Sequence, residues 1–485
     1  MYTDVMTEIA RFKAGRIHVA RAGLATQARL CVDMLQQGRG MAWVVKNRDE
    51  LLTARALMRL FSPELSSGDF LPDALDKGGW TSLPPFSPRS ANREGWTERL
   101  SALYALRSGQ AKGLILTADN LLPKLVPLDF FENREVTLIR GEDVSLDMIL
   151  EQAVEWGYER VSMVSNPGEI ARRGDILDIM PPGYDKPIRL DFFGDLIEEI
   201  RLFDPVSQRS KANLSEVRVL PVSPIRQSPA DQAKMQARWK SLFQKNMLTE
   251  NERFGLTRLQ EQGDFRLLPG CCYDTATNLE AWLPADTVWV LPGLSDFRDM
   301  LSSAERLWTE AFEAQDVEGR PQPQRLAMRE ASDVESACER FACVHAEPLV
   351  MGIAKGIHDL PERSLSSFED LFPSTAEQDR PWQTLVQALK RWQNDKRQTI
   401  LCFASEKSRT KFLNLASQDG LSPLLRYSGE QHGLFALVAP FRAGAELIWD
   451  QSLILGEDLL QPHAEKSRRV PTGAFKGLDR YDELK

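Results

Sequence analysis

A multidomain α/β protein is what this sequence predicts. It comprises an α/β domain with a degenerate phosphate loop, an inserted α+β docking domain and a small α/β domain after them. Three observations carry the prediction. Apolar runs alternate with amphipathic stretches over residues 1–127, as strands and crossover helices do in a parallel sheet. The next stretch, up to about residue 221, is mostly strand-like. Strand–helix alternation then returns, and appears once more over residues 382–460.

The elements follow in order. Arg16-Ile17-His18-Val19 reads as a strand. Thr26 to Gln36 reads as a helix with Ala28, Cys31, Val32 and Leu35 on one face, closed by Gly38 and Gly40. Met41–Val45 is a buried-strand run, Glu50–Leu60 a helix, and Leu114–Ala118 another buried strand. One helix near Ser145–Gly157 interrupts the strand-rich stretch. Beyond it come a strand at Thr287–Leu291 and a long helix, Asp296–Glu313, with Leu301, Ala304, Leu307 and Trp308 on one face. Gly319–Pro323 looks like the start of a linker, and residues 360–381 look irregular. In the last unit the strands are Thr399–Phe403, Leu434–Ala439 and Glu446–Leu455. A polar tail with Lys466, Arg468 and Arg469 follows. The resulting boundaries are 1–127, an insertion at 128–210, 211–340, a linker at 341–381, a small domain at 382–465 and a tail at 466–485.

Composition narrows the function classes. With 69 acidic and 60 basic residues the net charge is −9, which argues against a dedicated nucleic-acid binder. A local basic stripe at Lys466–Arg469 keeps DNA binding open as a minor alternative. No apolar run spans a bilayer, and Met1-Tyr2-Thr3-Asp4 does not begin a signal peptide's apolar core, so a cytoplasmic location is expected. The six cysteines form no CxxC. Cys338, Cys343 and His345 fit no common zinc spacing and read as ordinary helix residues.

No catalytic motif stands out. A working phosphate loop reads GxxxxGK[ST], because backbone amides cradle phosphates and the Lys reaches the outer ones. The corresponding stretch is Arg21-Ala22-Gly23-Leu24-Ala25-Thr26-Gln27, without a second Gly or a Lys. Gly109-Gln110-Ala111-Lys112-Gly113 precedes a strand rather than a helix, the wrong order. No catalytic residues, bound cofactor or metal are expected. The alternative is an ATPase or DNA-remodelling enzyme with a non-standard nucleotide site.

The informative stretch is Asn166–Arg209. Gly194-Asp195 between Ile188–Phe193 and Ile197–Phe203 signals a hairpin. Side chains alternate along a strand, so Ile188, Leu190 and Phe192 share one face, and Arg189, Asp191 and Phe193 the other. A three-residue loop, Gly194–Leu196, would place Leu190 opposite Ile200 on the buried face. Phe193 then lies beside Arg189 on the polar face, and Arg172 and Arg173 in the adjoining turn extend the patch. An aromatic with arginines is the composition of interface hot spots. Two readings stay open from the residues alone: an interface, or a ring that covers a neighbouring element. Asn166–Lys211 holds seven basic and nine acidic residues, a mixture that favours a protein partner over phosphate backbone.

NPGEIARRGDILDIMPP followed by PIRLDFFGDLIEEIRLFDPVSQRS resembles the module shared by the excinuclease protein UvrB and the bacterial transcription-repair coupling factors. Trp80–Pro88, followed by Arg99–Leu103, and the degenerate loop at Gly23 point to the coupling-factor family, since UvrB keeps an intact loop. Residues 380–460 resemble that family's variable third domain, and Leu478–Lys485 the lead-in to its RNA-polymerase-interacting domain. The resemblance implies an N-terminal fragment with a UvrB-like fold and no enzymatic activity of its own. It implies docking of the excinuclease protein UvrA through Arg173, Arg189 and Phe193, with Arg172 alongside. It also implies a parent that is an ATP-dependent DNA translocase with ATP and Mg in its motor. That parent would meet RNA polymerase and double-stranded DNA and mask the docking domain with its C-terminal domain.

Overall fold

The computed structural model describes residues 2–11, 14–62, 79–347, 357–374, 379–427, 432–439 and 441–460. The tail at 466–485, with Lys466, Arg468 and Arg469, lies outside the described residues. The chain divides into two compact units, Met1–Pro361 and Glu362–Lys485.

In the first unit the chain enters a parallel sheet through β1 (Gly15–Ala20), β2 (Met41–Val45), β3 (Trp80–Ser82) and β4 (Gly113–Thr117). The crossover helices are Leu24–Gln36, Arg48–Phe61 and Arg93–Arg107. Helix Arg48–Phe61 starts where Asn47 accepts a hydrogen bond from the Glu50 amide at 3.0 Å, which satisfies one orphan donor of the first turn. Helix Arg93–Arg107 is not singled out by periodicity, because it buries Trp96, Leu100, Ala102, Tyr104 and Ala105 around most of its circumference.

The chain then leaves the sheet. It forms β5 (Val136–Ile139), helix Leu146–Glu155, and β6 (Glu159–Arg160), β7 (Glu169–Arg173), β8 (Ile176–Ile179), β9 (Ile188–Phe193), β10 (Leu196–Phe203), β11 (Ser210–Leu214) and β12 (Glu216–Val219). The six strands β6–β11 make one sheet in the order β11-β10-β9-β8-β7-β6, and β12 pairs with β5. Their core runs from Leu138 to Val222, past the boundary expected at residue 210, because Val217, Val219 and Val222 pack into it.

The main sheet closes with β13 (Val288–Pro292), β14 (Ala342–Glu347) and β15 (Ile357–Asp359), in the order β15-β1-β14-β13-β2-β4-β3, with each pairing parallel. This corrects two expectations. The segment 341–381 is not all linker: the run Ala342–Ala346 is a buried strand between β1 and β13, so Cys343 and His345 are strand residues. Gly319–Pro323 is not a free linker either. Gln322 is buried and its amide donates to the Arg266 carbonyl at 2.9 Å. In helix Leu294–Val317, Leu301, Ala304 and Trp308 are buried while Leu307 is 53% exposed, since it falls about 120° from Leu301 at 100° per residue.

The second unit contains β16 (Glu362–Leu365), helix Pro381–Asn394, β17 (Gln398–Phe403), helix Glu406–Gln418, β18 (Leu434–Val438), β19 (Gly444–Leu447) and β20 (Ser452–Gly456), in the order β16-β19-β20-β17-β18. The single strand expected at Glu446–Leu455 is instead the antiparallel pair β19–β20. The chain reverses through Asp450 and Gln451, the latter in the left-handed region at φ +54°. Among the described residues, no helix is long and apolar enough to cross a membrane.

One buried group makes stability depend on pH. His345 sits in β14 stacked on His18, with ring centroids 5.5 Å apart, and its Nδ1–H donates to the Pro292 carbonyl at 3.2 Å. Burial pushes its pKa below the ordinary histidine value. The bond to Pro292 partly offsets this, and His18 adds to the depression. The folded state therefore holds the ring neutral, and its contribution is fully present above the unfolded pKa. As pH falls below about 6.5 the unfolded chain takes up the proton more readily and that contribution declines. Melting temperatures at pH 7.5 and 5.5 are expected to differ more for wild type than for His345→Gln. Equal slopes would assign the effect to other groups.

Candidate functional site

The surface in question is one face of the β6–β11 sheet. Register fixes which side chains share it. Arg172, Leu177, Leu190 and Ile200 form one row across β7–β10, and Ile170, Ile179, Ile188 and Leu202 another. These rows face helix Leu146–Glu155, where Ile149, Leu150 and Ala153 complete the core with every row member but Arg172. Ala171, Asp178, Arg189 and Arg201 line up on the opposite face. So do Arg173, Ile176, Asp191 and Glu199.

Phe193 is on that outer face and is 74% exposed. The hairpin that presents it differs from expectation. Phe193 pairs with Leu196, so the loop is the two residues Gly194-Asp195, with Gly194 at φ +63°. The register nevertheless brings Leu190 opposite Ile200, because a bulge between Ile197 and Glu199 absorbs the extra residue. The sequence pattern carried the pairing; the bulge had no signal in it.

Three of the four residues expected at the site share the outer face, spread out rather than clustered. Arg189 and Phe193 are four residues apart on β9, about 13 Å at roughly 3.3 Å per residue, with Asp191 between them. Arg173 lies across from Asp191, about 10 Å away over two strand spacings. Arg172 is on the other face: its guanidinium pairs with Asp147 of the covering helix and its Nε–H donates to the Gly174 carbonyl at 3.2 Å. The alternation that separates Arg189 from Leu190 also separates Arg173 from Arg172.

The charges on this face are mutually ordered. Asp191 pairs with Arg201, and Arg201 lies 3.5 Å from Glu199. Asp178 takes both Nε–H and Nη2–H of Arg189, at 2.7 and 2.8 Å. That bidentate bond, against the cost of partial burial, lifts the Arg189 pKa further above its usual range. Arg173 is exposed, with one donor on the Ser162 carbonyl at 2.7 Å. The surface can offer an apolar ring and two cations at fixed separations. Among the described residues, no group of three or more His, Cys, Asp or Glu side chains is placed to hold a metal.

At Gly23 the turn from β1 into helix Leu24–Gln36 is only Arg21-Ala22-Gly23. Arg21 adopts φ +56°, and its guanidinium grips Asp359, with Nε 2.9 Å from Oδ1. Gln27 bonds the Ala22 carbonyl at 2.8 Å and accepts from the Trp43 indole at 2.9 Å. The Arg21 and Gln27 side chains at this turn are thus tied to the protein's own residues.

Comparison with known proteins covers the same stretch of chain. Residues 136–224 match the UvrB interaction domain family, the stretch whose core runs from Leu138 to Val222. The chain is therefore an α/β protein that carries a UvrB interaction domain. Its similarity is to the transcription-repair-coupling factors. The factor of Myxococcus xanthus is 32% identical over 47% of this chain and 19% of its own length. That of Escherichia coli is 33% identical over 34% of this chain and 14% of its own. That of Staphylococcus aureus reaches 42% over 26% of this chain and 11% of its own. The chain thus matches a fifth or less of the length of these relatives. The matches support an N-terminal fragment of such a factor.

Proposed function

We propose that this chain is the adaptor part of a transcription-coupled nucleotide excision repair factor. It mimics UvrB and recruits the excinuclease protein UvrA to stalled RNA polymerase. The observation that carries the reading is Phe193: a large ring left 74% exposed on an ordered charged sheet face, within the stretch that matches the UvrB interaction domain. Arg189, further back on β9, and Arg173, across from Asp191, supply the cations. Arg172, on the helix-covered face, supports the sheet rather than touching the partner.

The fragment works without catalysis. The turn at Gly23 is a degenerate phosphate loop without a second Gly or a Lys, and the pairing of Arg21 with Asp359 supports a turn that works without nucleotide or cofactor. In the intact protein a separate ATP- and Mg-dependent motor moves along double-stranded DNA and displaces RNA polymerase in the cytoplasm. A C-terminal domain covers the docking face at rest. The test is calorimetric titration of this chain with purified UvrA, alongside an ATPase assay with and without DNA. Saturable binding and a flat ATPase trace are expected. Absent binding, or DNA-stimulated turnover, would overturn the reading.

A further inference from the structure

Arg189 is not a free cation, and the way it is held limits what can meet it. Asp178, 1% exposed, occupies its Nε–Nη2 edge. The second hydrogen of Nη2 goes to Gln208 Oε1 at 3.0 Å. Of five guanidinium N–H donors, three are engaged within the chain, and among the described residues nothing accepts from Nη1. The ring of Phe203, itself buried, lies 4.4 Å from the guanidinium carbon and covers one face. Gln208 is fixed in turn: it sits at φ +58° and its amide donates to the Pro205 carbonyl at 2.8 Å. Its backbone N–H bonds Asp204 O at 2.7 Å, and Asp204 Oδ1 caps Ser207.

The arrangement also answers a cross-strand conflict. Arg189 lies directly opposite Arg201, and like charges in that position repel. Asp178 on one side and Asp191 on the other draw the two guanidiniums to separate partners.

We propose that Asp178 is a positioning residue for docking. Buried beneath Arg189, it orients the guanidinium so that only the Nη1 end and one face are offered outward. The partner's matching acceptor then meets the two N–H groups of Nη1 end-on and is not a carboxylate gripping the Nε–Nη2 edge. This rests on the docking reading above and deepens it.

A double-mutant cycle tests it, using this chain and purified UvrA in calorimetry, with folding checked by circular dichroism. Asp178→Asn keeps the side-chain shape and removes one charged acceptor. It is expected to weaken docking about tenfold, the worth of one charge-assisted bond. In an Arg189→Ala background it should add nothing, and in a Phe193→Ala background it should multiply independently. Arg189→Lys, which keeps the charge but cannot span both Asp178 oxygens, should bind as weakly as Arg189→Ala. That variant carries the test if Asp178→Asn does not fold. Wild-type affinity in Asp178→Asn or Arg189→Lys, or an Asp178→Asn loss undiminished without Arg189, overturns the proposal. Failure of the wild-type chain to bind would instead overturn the docking reading itself.

Discussion

Phe193→Ala is expected to weaken capture of UvrA by about 2 kcal/mol or more, roughly thirtyfold, and to leave the melting temperature where it was. The two halves of that expectation come from one number. A ring that is 74% exposed contributes little to its own fold, and surface replacements of that kind shift stability by about 0.5 kcal/mol or less. The same ring, once covered by a partner, removes most of a large aromatic surface from water, at about 25 cal/mol per Å². Arg189→Ala should look different in the same pair of measurements. It loses docking, but it also leaves Asp178 buried without its cation, so the melting temperature falls as well. Arg173→Ala, at an exposed site, should resemble Phe193→Ala more than Arg189→Ala. Calorimetry beside thermal melts separates the three. A Phe193→Ala variant that binds as wild type would remove the ring from the interface.

The outer face was legible in the sequence because strand alternation is a strict period of two. Arg189, Asp191 and Phe193 fall together whatever the hairpin does. The loop length was not legible. A bulge near Glu198 and a longer loop yield the same Leu190–Ile200 pairing, and only backbone geometry distinguishes them. Asp178 was invisible for a related reason: as the third residue of Ile176-Leu177-Asp178-Ile179 it reads as an ordinary outward acid, and its burial depends on the Arg189 side chain laid over it from the next strand. In the parallel sheet, the fully apolar runs β2 and β4 were plain. β14 was missed because Cys343 and His345 break the apolar signal that Ala342, Val344 and Ala346 provide.

Leu190→Ala, on the reverse of the same strand, should be the largest stability lesion near the site, costing about 2–5 kcal/mol. Leu190 is fully buried in the row Leu177–Leu190–Ile200 beneath helix Leu146–Glu155, and the truncated side chain leaves a cavity that two paired strands cannot close. Docking should fail with it, though for a different reason than in Phe193→Ala: the face loses its support while each contact residue remains. The core involved runs from Leu138 to Val222 and is separate from the cluster that holds the parallel sheet through Leu114, Leu116 and Trp289. Hydrogen exchange should therefore accelerate across β5–β12 in the variant while amides of β2, β4 and β13 keep their protection. Simultaneous loss in both regions would show that the two cores melt as one cooperative unit. The docking face would then owe its rigidity to the parallel sheet as much as to its own helix.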